Sequence, residues 1–185
     1  MRKLLIVVDM QNDFVTGALR NEDAIAIVPT VAEKIRAAKE AGTEVIFTRD
    51  THFEDYMETE EGRNLPVLHC LKGTEGWEII DELKAWTEDA KIIDKITFGA
   101  RELGDYLAEE NEKEKIDEVE LIGICTDICV ISNALLTKAF LPNIPIGVDA
   151  ACCAGITPQT HKNALEAMKM CQIRVTNEPE QAEEN

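Results

Sequence analysis

Apolar residues along the chain fall into two alternating patterns. Short β-branched runs at 3–9 (KLLIVVD), 43–50 (TEVIFTRD), 90–95 (AKIIDK), 118–124 (EVELIGI), 144–149 (IPIGVD) and 171–176 (CQIRVT) predict strands. Their near-continuous Val, Ile and Leu content suits a parallel sheet covered on both faces, because neither face then meets water. Between the runs, 28–41, 77–87, 100–111, 127–140 and 158–170 carry apolar residues at helical spacing. Pro29 fits an early position of the first helix and Gly42 follows its end, while Thr157 fits the N-cap of a helix opening at Pro158. Strict β-α alternation predicts an α/β fold: a single-domain three-layer α/β/α arrangement, doubly wound on a mostly parallel six-stranded sheet of order 3-2-1-4-5-6. The domain is expected over 1–178, with a flexible acidic tail at 179–185. The longest irregular stretch, 50–76, is long enough for a compact domain to suggest a functional loop.

Composition narrows the possible partners. The chain has 185 residues, 45% hydrophobic and 30% charged, the profile of a globular domain. Its net charge of −17 argues against nucleic acid, since phosphate binding needs a basic face. The N-terminal apolar run is short and ends at Asp9, which suits neither a leader peptide nor a membrane span. A cytoplasmic chain with no membrane partner is expected. There the six cysteines are core fillers, ligands or nucleophiles rather than disulfides.

In doubly wound sheets, ligands sit beyond the carboxyl ends of the strands. Asp9 closes the first strand, Asp50 the second and Lys95 the third, and the fourth runs into the turn "GICTDICV" at 123–130. Cys129 is expected in the first turn of the following helix, capped by Asp127 or Thr126. Free N–H groups there would stabilise a thiolate and an oxyanion. Cys125 precedes the helix and lacks that advantage, so Cys129 is preferred as nucleophile, with two core cysteines as the alternative. His161 lies on the opening turn of the last helix and gives a Cys–His pair little support. Asp9 as proton acceptor and Lys95 as charge partner remain.

Three motifs in order, "LLIVVDMQNDF", "DKITFGA" and "GICTDICV", resemble the isochorismatase-like cysteine hydrolase superfamily over about residues 3–176. The resemblance implies a Cys129–Asp9–Lys95 triad, a cis peptide at Ile124–Cys125, and an oxyanion hole from the backbone N–H groups of Cys125 and Cys129. Asp50 and His52, two apart at a strand end, and His69 form a reasonable ligand set for a divalent metal, although two histidines in an acidic loop can also simply be solvated. "D-x-H", "HC" and "GTEG" resemble the nicotinamidase/pyrazinamidase branch. That resemblance implies a metal, Zn with Fe and Mn as alternatives, held by Asp50, His52, His69 and Glu61, with Glu60 and Glu58 behind Glu61. It also implies a small amide substrate, hydrolysed through a Cys129 thioester, and a homodimer or homotetramer. Many nicotinamidases carry an aromatic residue shortly before the second His; here "NLPVL" places Leu65 or Leu68 instead, leaving Phe14 and Phe98 to complete a pocket with Leu65. The alternatives are another amide or carbamoyl hydrolase of the superfamily, and a non-catalytic thiol redox or metal-binding protein.

Overall fold

Six parallel strands form one sheet in the order β3-β2-β1-β4-β5-β6, in a computed structural model that describes residues 1–178. They are β1 (Lys3–Val8), β2 (Glu44–Asp50), β3 (Lys91–Lys95), β4 (Glu118–Ile124), β5 (Ile146–Ala154) and β6 (Arg174–Thr176). Helices α1 (Glu22–Glu40), α2 (Arg101–Lys113), α3 (Ile131–Phe140) and α4 (Pro158–Met170) cover the two faces. The acidic tail expected at 179–185 lies outside the described residues. Among those described, no helix is long and apolar enough to cross a membrane.

β1 is central and is buried from both sides. Leu4, Ile6 and Val8 join one core with Leu103 and Leu107 of α2, Ala134 of α3 and Leu165 and Met168 of α4. Leu5 and Val7 join the other with Val28, Val31 and Ile35 of α1. Successive side chains of a strand point to opposite faces, so a strand between two covered faces has no polar position to fill. Each such side chain contributes roughly 1.5–3 kcal/mol on burial.

The elements differ from expectation in four places. α1 begins at Glu22, because the Asn21 side chain caps it by accepting from the N–H groups of Asp23 and Ala24. Pro29 therefore lies inside the helix, on its exposed face, where water can satisfy the carbonyl that its missing N–H leaves free. The segment 77–87 holds only a short helix at Asp81–Lys84, preceded by a 3-10 turn at Glu75–Trp77, so Trp77 and Trp86 share no helix. Trp77 instead stacks under Arg49, 3.6 Å from the ring centroid, and donates to Thr51 Oγ1 at 2.9 Å. β5 runs on to Ala154, which makes Cys152 and Cys153 strand residues. The cap expected at Asp127 or Thr126 is absent: residue 125 occupies the cap position, and a wide π turn spans Thr126–Val130 before α3.

Gly123 decides how closely β4 approaches β1. Its φ is +114°, and a Cβ there would run into the backbone of Val8. Only glycine lets the chain carry the turn after β4 alongside the end of β1.

Candidate active site

At the carboxyl edge of the sheet, β1, β3 and the turn after β4 each present one reactive side chain. Lys95 ends β3 with no solvent exposure. Its ammonium lies 2.7 Å from Oδ2 of Asp9 and 3.0 Å from Oδ1 of Asp50, and donates to Sγ of Cys129 at 3.4 Å. Asp9 follows β1 with φ of 50°, a left-handed conformation that aspartate reaches more readily than most residues. Thr48 of β2 donates to its Oδ1 at 2.7 Å and fixes the carboxylate.

Removal of water shapes the charges of this group. Burial alone would drive Lys95 towards its neutral form, but Asp9, Cys129 and Asp50 hold its pKa well above the ordinary value. Burial would raise the Asp50 carboxyl too, yet Lys95 and the two nearby histidines keep it well below the usual range. Burial pushes Asp9 up, with Lys95 opposing. The Cys129 thiol is pushed well up by burial, which Lys95 only partly counters. The thiol form is therefore favoured over the thiolate in this setting. Proximity to a helix start was expected to stabilise a thiolate; the dry surroundings outweigh it.

The turn carrying Cys129 is braced from α3 and from the segment after β3. Asn133 donates to Cys129 O at 2.8 Å and to Phe98 O at 3.0 Å, and accepts from the N–H of Ala100 at 2.8 Å. Ile128 and Val130 both donate to Cys125 O, at 3.1 and 3.0 Å. Among the described residues, the N–H groups of Cys125 and Cys129 donate to no loop or side-chain acceptor. The Ile124–Cys125 peptide is cis. Cys125 is half-buried, its thiol pushed up to about 12 by burial, and all six cysteines are free thiols.

Beside Lys95 and its partners, Asp50, His52, Glu61 and His69 bring four potential ligand atoms within 4.8 Å of one another. Nε2 of His52 lies 3.0 Å from Oδ2 of Asp50 yet makes no hydrogen bond, so the two atoms are aimed past each other at shared space. Nε2 of His69 is 3.7 Å from the same oxygen and 3.9 Å from Oε1 of Glu61. Nδ1 of His69 is engaged by Val67 O at 2.8 Å, which leaves Nε2 as the ligating nitrogen. Burial and the charge of Asp50 both raise the Glu61 carboxyl, a crowding that a cation would relieve. Two imidazoles and two carboxylates suit Zn, Fe or Mn, so the donor set fits a divalent cation. Sequence alone left Glu61 beside Glu60 and Glu58; only Glu61 joins the group.

The expected pocket residues fare unevenly. Phe14 stands edge-on to His69, centroids 5.7 Å apart. Leu65 and Phe98 are exposed, and they serve through their carbonyls, which accept from the Tyr56 hydroxyl and from Asn133. Tyr56 was not anticipated: its buried ring lies 4.5 Å from that of His52 and 5.1 Å from that of His69. Gln11 and Asp13 were missed as supports, although both stand in the "DMQNDF" motif. Gln11 accepts from the N–H of Asp50 at 2.7 Å and donates to Asp50 O and Trp77 O; Asp13 accepts from the N–H of Cys70 at 2.7 Å. A cavity of about 620 Å³ lined by His52, Phe53, Glu54, Asp55, Leu71 and Lys72 opens next to the ligand group.

Comparison with known proteins gives a consistent outcome. A family model described as an isochorismatase domain matches residues 3–179. A nicotinamidase/pyrazinamidase of Mycobacterium tuberculosis is 26% identical over 196 residues, covering 94% of this chain and 97% of that protein. The crystal structure of a pyrazinamidase of Pyrococcus horikoshii in complex with zinc is 33% identical, with a TM-score of 0.82 over 96% of this chain and 100% of that one. An N-carbamoylsarcosine amidase from Thermoplasma acidophilum is 28% identical, with a TM-score of 0.75 over 98% and 100% of the two chains.

Proposed function

This chain belongs to the isochorismatase family, and from that premise we propose that it is a metal-containing cysteine amidohydrolase that converts nicotinamide and water to nicotinate and ammonia. The observation that carries the reading is the junction of two groups through one side chain. Lys95 touches Asp9 and Cys129 on one side and Asp50 of the ligand set on the other.

Asp9 takes the thiol proton as Sγ of Cys129 attacks the amide carbonyl carbon and the C–S bond forms. The N–H groups of Cys125 and Cys129 would hold the oxyanion, and removing one such donor typically costs about 10²–10³ in rate. Asp9 then gives its proton to the departing nitrogen, the C–N bond breaks, and ammonia leaves a thioester. A water that loses one proton to Asp9 attacks the thioester; the C–S bond breaks, that proton passes to Sγ, and the acid leaves, losing its remaining proton to solvent as nicotinate. Lys95 stays charged throughout and keeps Asp9 in place. Asp50, His52, Glu61 and His69 would hold a divalent cation, which when bound supplies an electrophilic anchor for a substrate lone pair such as a pyridine nitrogen.

The test is ammonia release from purified protein supplied in turn with Zn, Mn or Fe. Nicotinamide, pyrazinamide and N-carbamoyl compounds serve as substrates. Release from nicotinamide is expected; none with any of the metals sinks the substrate assignment. One observation favours a second reading, another amide or carbamoyl hydrolase. The position before His69 holds exposed Leu68 where an aromatic stacking partner would stand, and an amidase of carbamoyl compounds is among the similar structures. Turnover of the carbamoyl compounds alone would select it.

A further inference from the structure

Thr126, which opens the turn that carries Cys129, is fully buried, and its hydroxyl lies 2.7 Å from Nδ1 of His161 on α4. Among the described residues the hydroxyl has no other partner. A buried hydroxyl hydrogen without an acceptor costs roughly 1–3 kcal/mol. The favoured arrangement therefore has Thr126 donating to an unprotonated Nδ1, with the imidazole proton on Nε2. The next residue is tied to the same place: the Asp127 carboxylate accepts from the N–H of Ile156 at 3.0 Å. Gly155 backs onto His161 so tightly that a Cβ there would crowd its side chain and backbone. The Asn21 side chain, at the start of α1, donates to Gly155 O at 2.8 Å. α4 and the segment after β5 thus both hold the turn, and α1 in turn holds that segment.

We propose that His161 is a positioning residue for the nucleophile: its unprotonated Nδ1 holds Thr126 and so sets where Sγ of Cys129 stands relative to Asp9 and Lys95. The proposal rests on Cys129 being the nucleophile of the proposed reaction. A proton on Nδ1 would turn the acceptor into a donor and leave the Thr126 hydrogen unmatched. Burial lowers the His161 pKa, while Asp127 on the turn, Asp23 on α1 and Glu178 after β6 oppose the change. The imidazole is therefore neutral at neutral pH, and the brace is lost only as pH falls through that lowered value.

Two measurements test this. Nitrogen-15 NMR of the unaltered protein at neutral pH should show Nδ1 of His161 as the bare, pyridine-like nitrogen; a protonated Nδ1 would overturn the proposal. The second compares His161→Ala, His161→Asn, Thr126→Val and the Thr126→Val/His161→Ala pair. Iodoacetamide labelling of Cys129, read by mass spectrometry, is followed beside kcat, KM and Tm. Misplacement of a reacting group by about 1 Å costs on the order of 10²-fold, so His161→Ala and Thr126→Val should each slow labelling and kcat by roughly tenfold or more while KM changes less. The pair should be no slower than either single change, and His161→Asn, which keeps an acceptor near Nδ1, should recover most of the loss. Additive losses in the pair, or unaltered labelling in both Thr126→Val and His161→Ala, would overturn it. Where His161→Ala does not fold, Thr126→Val and the NMR measurement decide. Labelling that responds as expected in a protein that releases no ammonia would refute the amidase reading and leave the role of His161 standing.

Discussion

Lys95 joins three partners that sequence separates by tens of residues, and its surroundings decide what its loss would do. Its ammonium has no solvent exposure and sits between the carboxylates of Asp9 and Asp50. Removing one partner from a buried ionic group costs about 3–5 kcal/mol, because the remaining charges stay buried and uncompensated. Lys95→Met should therefore lose stability of that order in urea unfolding as well as all ammonia release. A variant as stable as the parent would show that Asp9 or Asp50 takes up a proton instead. Cys125→Ala should keep activity within a few-fold, since only its backbone N–H is assigned a part, while Cys129→Ala should have none. Loss of activity in Cys125→Ala would give its sulfur a role. The gathering of Asp9, Asp50 and Lys95 was legible in sequence because their types are unusual where they stand: each closes an apolar strand. Thr48, Tyr56 and Asn133 were not, because their types are ordinary and their roles exist only through contacts made by folding.

At the level of elements, Lys34 fastens α1 to the sheet. Its ammonium is 2.9 Å from Glu120 of β4 and 2.8 Å from the buried Asp149 of β5. Burial lowers its pKa, but the two carboxylates more than offset this and raise it above 10.5. A raised lysine contributes stability that is whole below the unfolded value and fades as pH climbs through the folded one. The parent should therefore lose this contribution only at strongly alkaline pH. Lys34 is partly exposed, so solvent screening reduces its share, and Lys34→Met should cost about 1–2 kcal/mol at neutral pH. Urea midpoints measured from neutral pH to above 10.5 should converge for the two proteins; a gap that stays constant with pH would show that packing rather than charge is lost. Strands were legible because an apolar run between two covered faces has one simple signature. The last helix was equally so: Thr157 accepts from the N–H of Thr160 in a capping box, and Pro158 opens the first turn. The start of α1 was not, because Pro29 resembles a helix opening and the capping by Asn21 outweighs it.

Across the whole molecule, the net charge of −17 sets a background repulsion that folding must overcome. Screening shortens its reach to about 10 Å at 0.1 M salt. Tm should rise between low and moderate sodium chloride; an unchanged Tm would show that local pairing neutralises the acids. The strand order was legible as a whole, since β-α alternation leaves few other ways to cover both faces. The order of parts along the chain has a further consequence. All four residues of the ligand group lie between 50 and 69, and Asp9 and Lys95 precede β4. During synthesis, the ligand group, Asp9 and Lys95 are joined to the chain before Cys129. β4 must then dock beside β1, with Gly123 passing close to Val8, before the thiol meets its partners. The group around Lys95 can therefore close only after β4 and the turn that follows it have been made.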